Sequence, residues 1–569
     1  MTAVLTWQQL RDLKRSELED AADGWGKVSN RARGALTRVE SEMSGSLTKT
    51  QRGAAAGAAV KRIDRLGRNF QYIHTECGLV RTLLNGLAGE LAAPQRKLKN
   101  ALQDAAALKF TVHDDGSITY PVDDKSTGKR GTEPNPLKGK AEALADDIAT
   151  ALRDANEIDG RYSRALGQIK APKGLEVTDA MLADAGHDMR LARQAAKNFL
   201  SKKDIPMGKS PAVNKKWWDG LTPEERAEYK ALYPDVIGAM NGIPSDARDD
   251  ANRMVLAERH GQAQTDLNKL DSAEPTKYMK NPSGNYPATV INPAWQKWHD
   301  TRTRLQQQLK GMNSIQRRFD ETGDRGMPRA YLLGFDTKGN GHAIVANGNP
   351  DTAQNTAVYV PGFTSRLEGA GGDINRMGNL WREAHAQDPQ HSLSTVTWLG
   401  YDAPQSADVL SASDAEKGGR KLNDFMGGLQ TAQGGPSASH TTVIGHSYGS
   451  TTVGSAATHG HLPADDVVVA GSPGMTTPHA KDLGVGADHV WAEKNSNDFV
   501  PDGGGIDPAL TGPGDKDGVP HVPSDREFGG HRLTSDTDGH SGYWDPGSQS
   551  LKNQGAVVVD HPKQAKREW

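Results

Sequence analysis

Short β-branched runs begin near Gly323 and alternate with helical stretches and Gly-rich turns from there on. This alternation is typical of a mostly parallel sheet covered by helices, because each parallel strand needs a long crossover connection. The candidate strands are Arg329–Phe335, Ala343–Ala346, Thr356–Val360, Ser394–Leu399, Thr441–Ile444, Val467–Val469, His489–Ala492 and Ala556–Val559. We therefore expect an α/β fold with a doubly wound, mostly parallel sheet over residues 326–569.

Helical periodicity dominates the chain before that point. Apolar residues at helical spacing predict a largely α-helical N-terminal region over residues 1–205, with a small hairpin near residues 110–120 around an Asp-Gly turn. Residues 206–325 are predicted to form a helical lead-in segment. Within it Thr222, Pro223 and Glu225 have the order of an N-cap, a first helical residue and a capping box, so a helix is expected to begin there.

Composition and charge narrow the classes of function. Cys77 is the only cysteine, which rules out an intramolecular disulfide and a thiolate metal cluster. The net charge is -3 and the basic residues are interspersed with acids, so nucleic acid is not an expected partner. We find neither an apolar run long enough for an integral membrane segment nor a secretory signal. The default expectation is a cytoplasmic protein, with export by a route that needs no cleavable signal left open.

The segment Gly445-His446-Ser447-Tyr448-Gly449 has the G-x-S-x-G pattern of a nucleophile elbow. A β-branched run leads into it and a stretch of small, helix-compatible residues follows, which is the context that the motif requires. Ser447 is therefore the predicted nucleophile, and His446 is expected to pack or to line the pocket. The backbone N–H of Tyr448 is one predicted oxyanion donor, and Gly362 or Phe363, after a strand that ends in Pro-Gly, is the other.

In such a domain the acid and the histidine follow the serine along the chain. Asp498 follows a predicted strand and is the candidate acid, with Asp502 as its nearest rival. His540 lies in a polar loop further on and is the candidate base, with His531 and His521 as rivals. No cofactor is expected, and no metal site either, since the pair His459 and His461 lacks a third ligand nearby.

These motifs resemble a family of actinobacterial α/β-hydrolases long known only as a domain of unknown function. The segments that carry the resemblance are Val443–Ser450, Ala470–Gly474, Asn497–Val500 and Gly539–Tyr543, and upstream Trp217–Leu221, Pro234–Gly238, Asn241–Pro244, Arg248 and Ala251–Arg253. The resemblance covers residues 217–559 and implies an α/β-hydrolase fold, a hydrolase of unassigned substrate and the triad Ser447, Asp498 and His540. His531 stands where relatives are expected to have a small residue, so it stays open as a rival base or a pocket residue.

The first 200 residues are similar in texture to the helical hairpins that often precede such domains in actinobacteria, some of which pass through type VII secretion. Trp25-Gly26 lacks the usual Trp-x-Gly order, and Tyr72–Glu76 matches only a very loose export pattern. We therefore favour helices that serve self-association or cover the hydrolase.

The sequence predicts a serine hydrolase, an esterase or lipase-like enzyme that acts on a small-molecule or lipid ester through an acyl-enzyme on Ser447. Amide and thioester substrates stay open. Two alternatives remain: a catalytically silent scaffold that binds partner proteins through its helices, and an exported effector that acts on envelope lipids. Pocket size is expected to depend on caps formed by Asp402–Ser437 and Asp502–Glu527. An apolar groove beside Ser447 would favour lipid, and a small polar pocket a short-chain ester.

Overall fold

The computed structural model describes residues 4–44, 54–121, 136–169, 176–284, 286–406, 412–504 and 508–568. Helices dominate its first 320 residues: α1 (Trp7–Asp12), α2 (Arg15–Arg38), a π-helical turn (Val39–Ser44), α3 (Ala54–Glu90), α4 (Ala92–Ala107), α5 (Pro136–Leu166), α6 (Asp179–Ala195), α7 (Pro211–Gly220), α8 (Pro223–Leu232), α9 (Pro234–Ile237), α10 (Ser245–Asp271) and α11 (Pro293–Asp320). Two small hairpins interrupt them, one of β1 (Thr111–Val112) and β2 (Ile118–Thr119), the other of β3 (Tyr278–Lys280) and β4 (Thr289–Ile291). Among the described residues, none of these helices is both long and apolar enough to cross a bilayer.

The expected sheet is present, with its strands connected mainly by helices. The strands are β5 (Ala330–Asp336), β6 (His342–Asn347), β7 (Asn355–Val360), β8 (Leu393–Leu399), β9 (His440–His446), β10 (Asp466–Ala470), β11 (Val490–Glu493) and β12 (His531–Leu533). The helices are α12 (Ala370–Gln387), α13 (Ala412–Gln433), α14 (Tyr448–Thr458), α15 (Val500–Gly504), α16 (Pro508–Thr511) and α17 (Gln549–Val558).

The strand order is β12-β11-β10-β9-β7-β8-β6-β5. Pairing is parallel from β12 to β8, and β6 runs antiparallel to both of its neighbours. Val358 and Val360 face a core built with α13 and α14, whereas Ala357 and Tyr359 face a core built with α12 and α17. Alternate residues of one strand thus enter opposite layers, which confirms the doubly wound α/β architecture.

The prediction of a strand at Ala556–Val559 was wrong, because this apolar run forms the end of α17. An apolar run of four residues fits a buried strand or a buried helix equally well, and periodicity alone does not separate them. Ser548 caps the helix by accepting the backbone N–H of Leu551 at 3.1 Å, and helical packing then buries the run. The eighth strand is β12, which begins at His531.

Most of the segment Asp402–Ser437, which was predicted to cap the pocket, forms a helix that packs on the sheet. Residues 412–433 form α13, the crossover between β8 and β9, and they bury Leu422, Phe425 and Met426 against the sheet. The capping-box helix was predicted correctly: Thr222 accepts the N–H of Glu225 and Glu225 accepts the N–H of Thr222.

The lead-in helix α10 connects the helical half to the sheet. One apolar cluster extends from Leu10 to Ala251, and a second extends from Val255 through α11 to Leu399 on β8. Helix α10 contributes residues to both clusters, so it packs against the N-terminal helices and also against the strands of the sheet.

Polar side chains of α10 also satisfy the outer edge of strand β5. Asp249 accepts the N–H of Leu332 at 2.9 Å, Asn252 donates to the carbonyl of Leu332 at 2.9 Å, and Arg253 donates to the carbonyl of Ala330 at 3.0 Å. The three residues lie on one side of the helix because they are three and four positions apart. They take the place that a further strand would otherwise occupy.

A buried ionic network surrounds Asp249. Its carboxylate pairs with Arg253 at 2.7 Å, Arg329 at 2.8 Å and Arg33 at 2.9 Å, and Arg33 belongs to α2. Burial would raise the pKa of Asp249, but the three guanidinium groups outweigh it and the pKa is lowered. Ion pairs to this one buried carboxylate therefore join the N-terminal helices to the edge of the sheet.

Candidate active site

Ser447 lies on the sharp turn between β9 and α14. Its backbone has φ 52° and ψ -133°, a conformation that side-chain-bearing residues rarely adopt. The turn is held by Ser447 N–H donating to Ala470 O at 3.1 Å and by Ser450 N–H donating to Ser447 O at 2.9 Å. Strain of this kind costs about 1–3 kcal/mol, which the surrounding hydrogen bonds and packing offset.

The two glycines of the motif are required by close backbone contacts. A Cβ on Gly445 would lie 2.6 Å from Ser450 Cα, because α14 crosses directly over the end of β9. A Cβ on Gly449 would lie 2.1 Å from the carbonyl oxygen of Val360 at the end of β7. Neither position accepts a larger residue without movement of the backbone, so the elbow depends on both glycines.

Asp498 and His540 lie in contact beyond the ends of the strands. His540 Nδ1 is 2.9 Å and 3.0 Å from the two carboxylate oxygens of Asp498, and Tyr543 donates its hydroxyl to Asp498 at 2.5 Å. Burial would raise the pKa of Asp498, but the hydrogen bonds from His540 and Tyr543 lower it. The carboxylate therefore stays charged beside an imidazole that it orients.

The rival residues lie elsewhere. Asp502 pairs with Lys494, and His521 pairs with Asp515 at 3.2 Å. His531 starts β12 and packs on the ring of Trp491 with centroids 4.4 Å apart. These rivals are absent from the described lining of the cavity that contains Ser447 and His540.

A cavity of about 670 Å³ opens beside Ser447. One wall is apolar, with Phe363, Pro473, Val500 and Leu510, and the rest is polar: Thr364, Ser365, Asp373, Arg376, His446, His540 and Ser541. Gly503 of α15 and Leu510 of α16, both within the predicted cap Asp502–Glu527, contribute to this lining. Among the described residues no hydrogen bond joins Ser447 Oγ to His540, although both line the cavity. In this class of site such contacts commonly tighten only around a substrate.

The predicted oxyanion loop lies against the elbow. A Cβ on Gly362 would be 2.7 Å from Ser447 Cβ and 3.0 Å from the backbone nitrogen of Tyr448, so only glycine fits there. Tyr448 is the first residue of α14, where the helix dipole favours negative charge. Phe363 follows Gly362 and its side chain lines the cavity.

His446 has a structural role that the sequence only partly indicated. It is buried, lines the cavity, and donates from Nε2 to the backbone carbonyl of His540 at 2.8 Å. Burial, assisted by the nearby positive charges of Arg376 and His540, lowers the pKa of His446 to about 3. The imidazole is therefore neutral at physiological pH.

Sequence reasoning missed several residues of the site. Tyr543 follows His540 by three positions and Gly471 directly follows β10, but nothing local marked either as a contact of Asp498. A Cβ on Gly471 would lie 2.6 Å from Asp498 Oδ2, and its φ is +58°. Arg376 donates from one guanidinium nitrogen to Tyr359 and Asp373, both at 2.9 Å, at the polar end of the cavity. These contacts join distant segments and carry no local signal.

The described residues contain no group of three or more His, Cys, Asp or Glu side chains placed to hold a metal ion. His459 lies at the end of α14, where its Nδ1 is 3.1 Å from the hydroxyl of Thr458.

A protein-family model and several mycobacterial proteins are similar to this chain. Residues 336–507, which include Ser447 and Asp498, match the family described as alpha/beta hydrolase. The uncharacterized protein Rv2079 of Mycobacterium tuberculosis is 29% identical over 519 residues, covering 84% of this chain and 75% of that protein. The uncharacterized proteins Rv0963c of M. tuberculosis and Mb0988c of Mycobacterium bovis are each 32% identical over 184 residues, covering 30% of this chain and 68% of each relative. No solved structure gives a significant match.

Proposed function

Because the chain belongs to the α/β-hydrolase family, we propose that it is a serine hydrolase that cleaves a carboxylic ester through an acyl-enzyme on Ser447. One observation carries the proposal. His540 Nδ1 lies within hydrogen-bond distance of Asp498, and the same imidazole shares a cavity with Ser447 on its strained turn. This arrangement supports the proposal of Ser447 as nucleophile, His540 as base and Asp498 as orienting acid in a covalent mechanism.

In the proposed reaction His540 Nε2 takes the proton of Ser447 as Oγ attacks the ester carbonyl. The tetrahedral oxyanion is stabilised by the N–H of Tyr448 and an N–H from Gly362 or Phe363. The carbonyl re-forms, and the alcohol leaves with the proton that His540 returns. Water then attacks the acyl-enzyme with His540 as base again, releasing the acid and restoring Ser447.

Asp498 contributes by holding the imidazole in one tautomer. With its pKa lowered, the carboxylate accepts the Nδ1–H of His540 and stabilises the imidazolium that forms during each half of the reaction. Tyr543 stabilises the same carboxylate by donating its hydroxyl to Oδ2. The base therefore presents Nε2 to the cavity.

The cavity supports an ester with an apolar acyl part and a polar second part. Phe363, Val500 and Leu510 offer an apolar wall, and Arg376 with Asp373 offers a polar end. A volume of about 670 Å³ is in the range of cavities that enclose a small organic ligand. We assign to this site acyl chains of short to medium length.

We also propose three functional units, residues 1–205, 206–325 and 326–569. The lead-in unit acts as the connector, since α10 shares apolar clusters with the helices before it and the strands after it. The N-terminal unit then serves to cover and anchor the hydrolase unit.

Fluorophosphonate labelling of the purified protein tests the reaction. Labelling of the parent and its loss in Ser447→Ala are expected, with Asp502→Asn as a matched control that still labels. A panel of p-nitrophenyl esters of increasing acyl length then locates the preferred substrate. A folded parent protein that neither labels nor hydrolyses any ester would favour the silent scaffold instead.

A further inference from the structure

An arm extends away from the body of the protein between the two longest helices of the lead-in. It comprises residues 268–304, from the end of α10 through the β3–β4 hairpin to the first turns of α11. Leu267 and Leu305 are buried, but no described residue between them is. Helix α11 therefore runs about 18 Å from Pro293 before it buries a side chain in the core.

The arm is ordered by its own contacts. Trp298 donates its indole N–H to Leu270 O at 2.9 Å, and Arg302 pairs with Asp271 at 2.7 Å. These two contacts join the helices α10 and α11 at the base of the hairpin. Tyr278 pairs in register with Ile291 across the hairpin. A two-stranded hairpin alone is marginally stable, so the contacts between the two helices at its base help to hold it in place.

The arm exposes apolar and aromatic side chains to solvent. Tyr286 is 98% exposed and Tyr278 is 56% exposed. Ile291 is exposed on the same face of the hairpin as Tyr278, and Met279 is exposed on the other face. Four of the twelve exposed large hydrophobic residues found in the described chain belong to this short arm. Such clustering marks an interaction site rather than ordinary surface scatter.

The charge of the arm is opposite to that of the chain. Residues 268–304 contain six lysines and arginines against three aspartates and glutamates, a charge of +3 in a chain whose net charge is -3. Lys280 lies on the same face of the hairpin as Tyr278, because residues two apart in a strand share a face. Lys277 lies over the ring of Trp295, 4.8 Å from its centroid.

We infer that the arm docks the protein on a lipid bilayer with anionic headgroups. Tyrosine and tryptophan favour the boundary between acyl chains and headgroups, where the ring is in an apolar medium and the polar group stays hydrated. The exposed aliphatic side chains gain by entering the same layer, and Lys277 and Lys280 contact the anionic headgroups. A bilayer offers both chemistries over one surface, which matches the mixture on the hairpin.

Cosedimentation of the full chain with vesicles tests the inference. The parent is expected to pellet with equimolar phosphatidylcholine and phosphatidylglycerol, and to stay in solution with phosphatidylcholine alone or in high salt. Lys277→Gln with Lys280→Gln should weaken binding about 25-fold, since each lysine near an anionic surface contributes about fivefold. Tyr278→Ser with Tyr286→Ser and Ile291→Ser should abolish it.

Matched controls separate the arm from general surface effects. Lys338→Gln with Lys421→Gln, and Met207→Ser with Val519→Ser, change similar exposed residues elsewhere and should bind like the parent. Ser447→Ala should also bind like the parent, because docking is independent of catalysis. Failure of the parent to bind anionic vesicles overturns the inference, as does full binding by the arm variants. Dissociation of a dimer by the arm variants in sedimentation velocity would assign the surface to a second copy instead.

Discussion

His446 donates a hydrogen bond from Nε2 to the backbone carbonyl of His540 at 2.8 Å. The residue before the candidate nucleophile is thereby fixed to the residue proposed as the base. Because burial keeps His446 neutral, with a pKa of about 3, the donor is present throughout the ordinary pH range. The contact sets the separation between the turn that carries Ser447 and the loop that carries His540.

Removing that contact should reduce turnover. We expect His446→Ala to lower kcat about tenfold to a hundredfold with a smaller effect on KM, because a small displacement of the base is costly in rate. Steady-state kinetics on a p-nitrophenyl ester measure this. His391→Ala, a change of an exposed histidine on another loop, is the control and should behave like the parent. Unchanged kcat in His446→Ala would remove the positioning role.

Tyr543→Phe should move the acid limb of the activity profile. The hydroxyl donates to the charged form of Asp498, so its loss raises the pKa of that carboxyl, and the proposed mechanism needs the carboxylate charged. The acid limb of kcat/KM is therefore expected at higher pH than in the parent. Profiles of kcat/KM from pH 4 to 9 for both proteins provide the measurement, and superimposable acid limbs would contradict it.

Gly449→Ala should disrupt the elbow. The new Cβ would approach the carbonyl of Val360 to 2.1 Å, so the start of α14 must shift and carry the Tyr448 N–H with it. We expect the free energy of unfolding to fall by about 1–3 kcal/mol, in the range of overpacked sites, together with loss of activity. Gly427→Ala in α13 meets nothing within 4 Å and should instead stabilise by up to about 1 kcal/mol. Denaturant unfolding compares the two variants.

Asp249→Ala should destabilise both halves of the chain together. It leaves the buried guanidinium of Arg253 and the partly buried Arg33 and Arg329 without this carboxylate, and Leu332 N–H without an acceptor. Breaking such a buried network costs about 3–5 kcal/mol. Asp246→Ala removes an exposed partner of Arg329 and should cost less than about 1 kcal/mol. Equal stability of the two variants in chemical denaturation would show that the network contributes little.

Glu76→Gln should flatten the pH dependence of stability. Burial, with the negative charges of Asp188 and Asp184, raises the pKa of Glu76 to about 8, and among the described residues neither carboxylate oxygen has a hydrogen-bond partner. A carboxyl whose folded pKa is raised binds more protons when folded, so stability falls as pH rises from about 4.5 to 8. The variant is expected to exceed the parent in free energy of unfolding at pH 8 and to differ little at pH 5. If the variant and the parent differed in free energy of unfolding by the same amount at pH 5 and pH 8, Glu76 would be excluded as the source of the pH dependence.

The features that the sequence predicted are those that a short, contiguous stretch of residues determines. The elbow at Ser447 was predicted because strand, tight turn and helix are contiguous, and the helix at Pro223 because its caps lie within four residues. Chain order then selected Asp498 and His540, which the fold brings into contact. The support from Tyr543, the bond from His446 and the edge contacts of Asp249 join segments far apart in the chain, so no window of sequence contains them. Ala556–Val559 failed for a different reason, since its length did not distinguish strand from helix.

The contacts of α10 with strand β5 have a consequence for how the chain is made. Residues 249–253 precede residues 330–332 in the chain, so the partners of the edge strand have been synthesised when that strand emerges from the ribosome. Helix α10 thus shields backbone groups of β5 that would otherwise be open to pairing with a strand from another molecule. A chain truncated ahead of the hydrolase domain would lack α10 and would expose the outer edge of β5 to pairing with strands of other molecules.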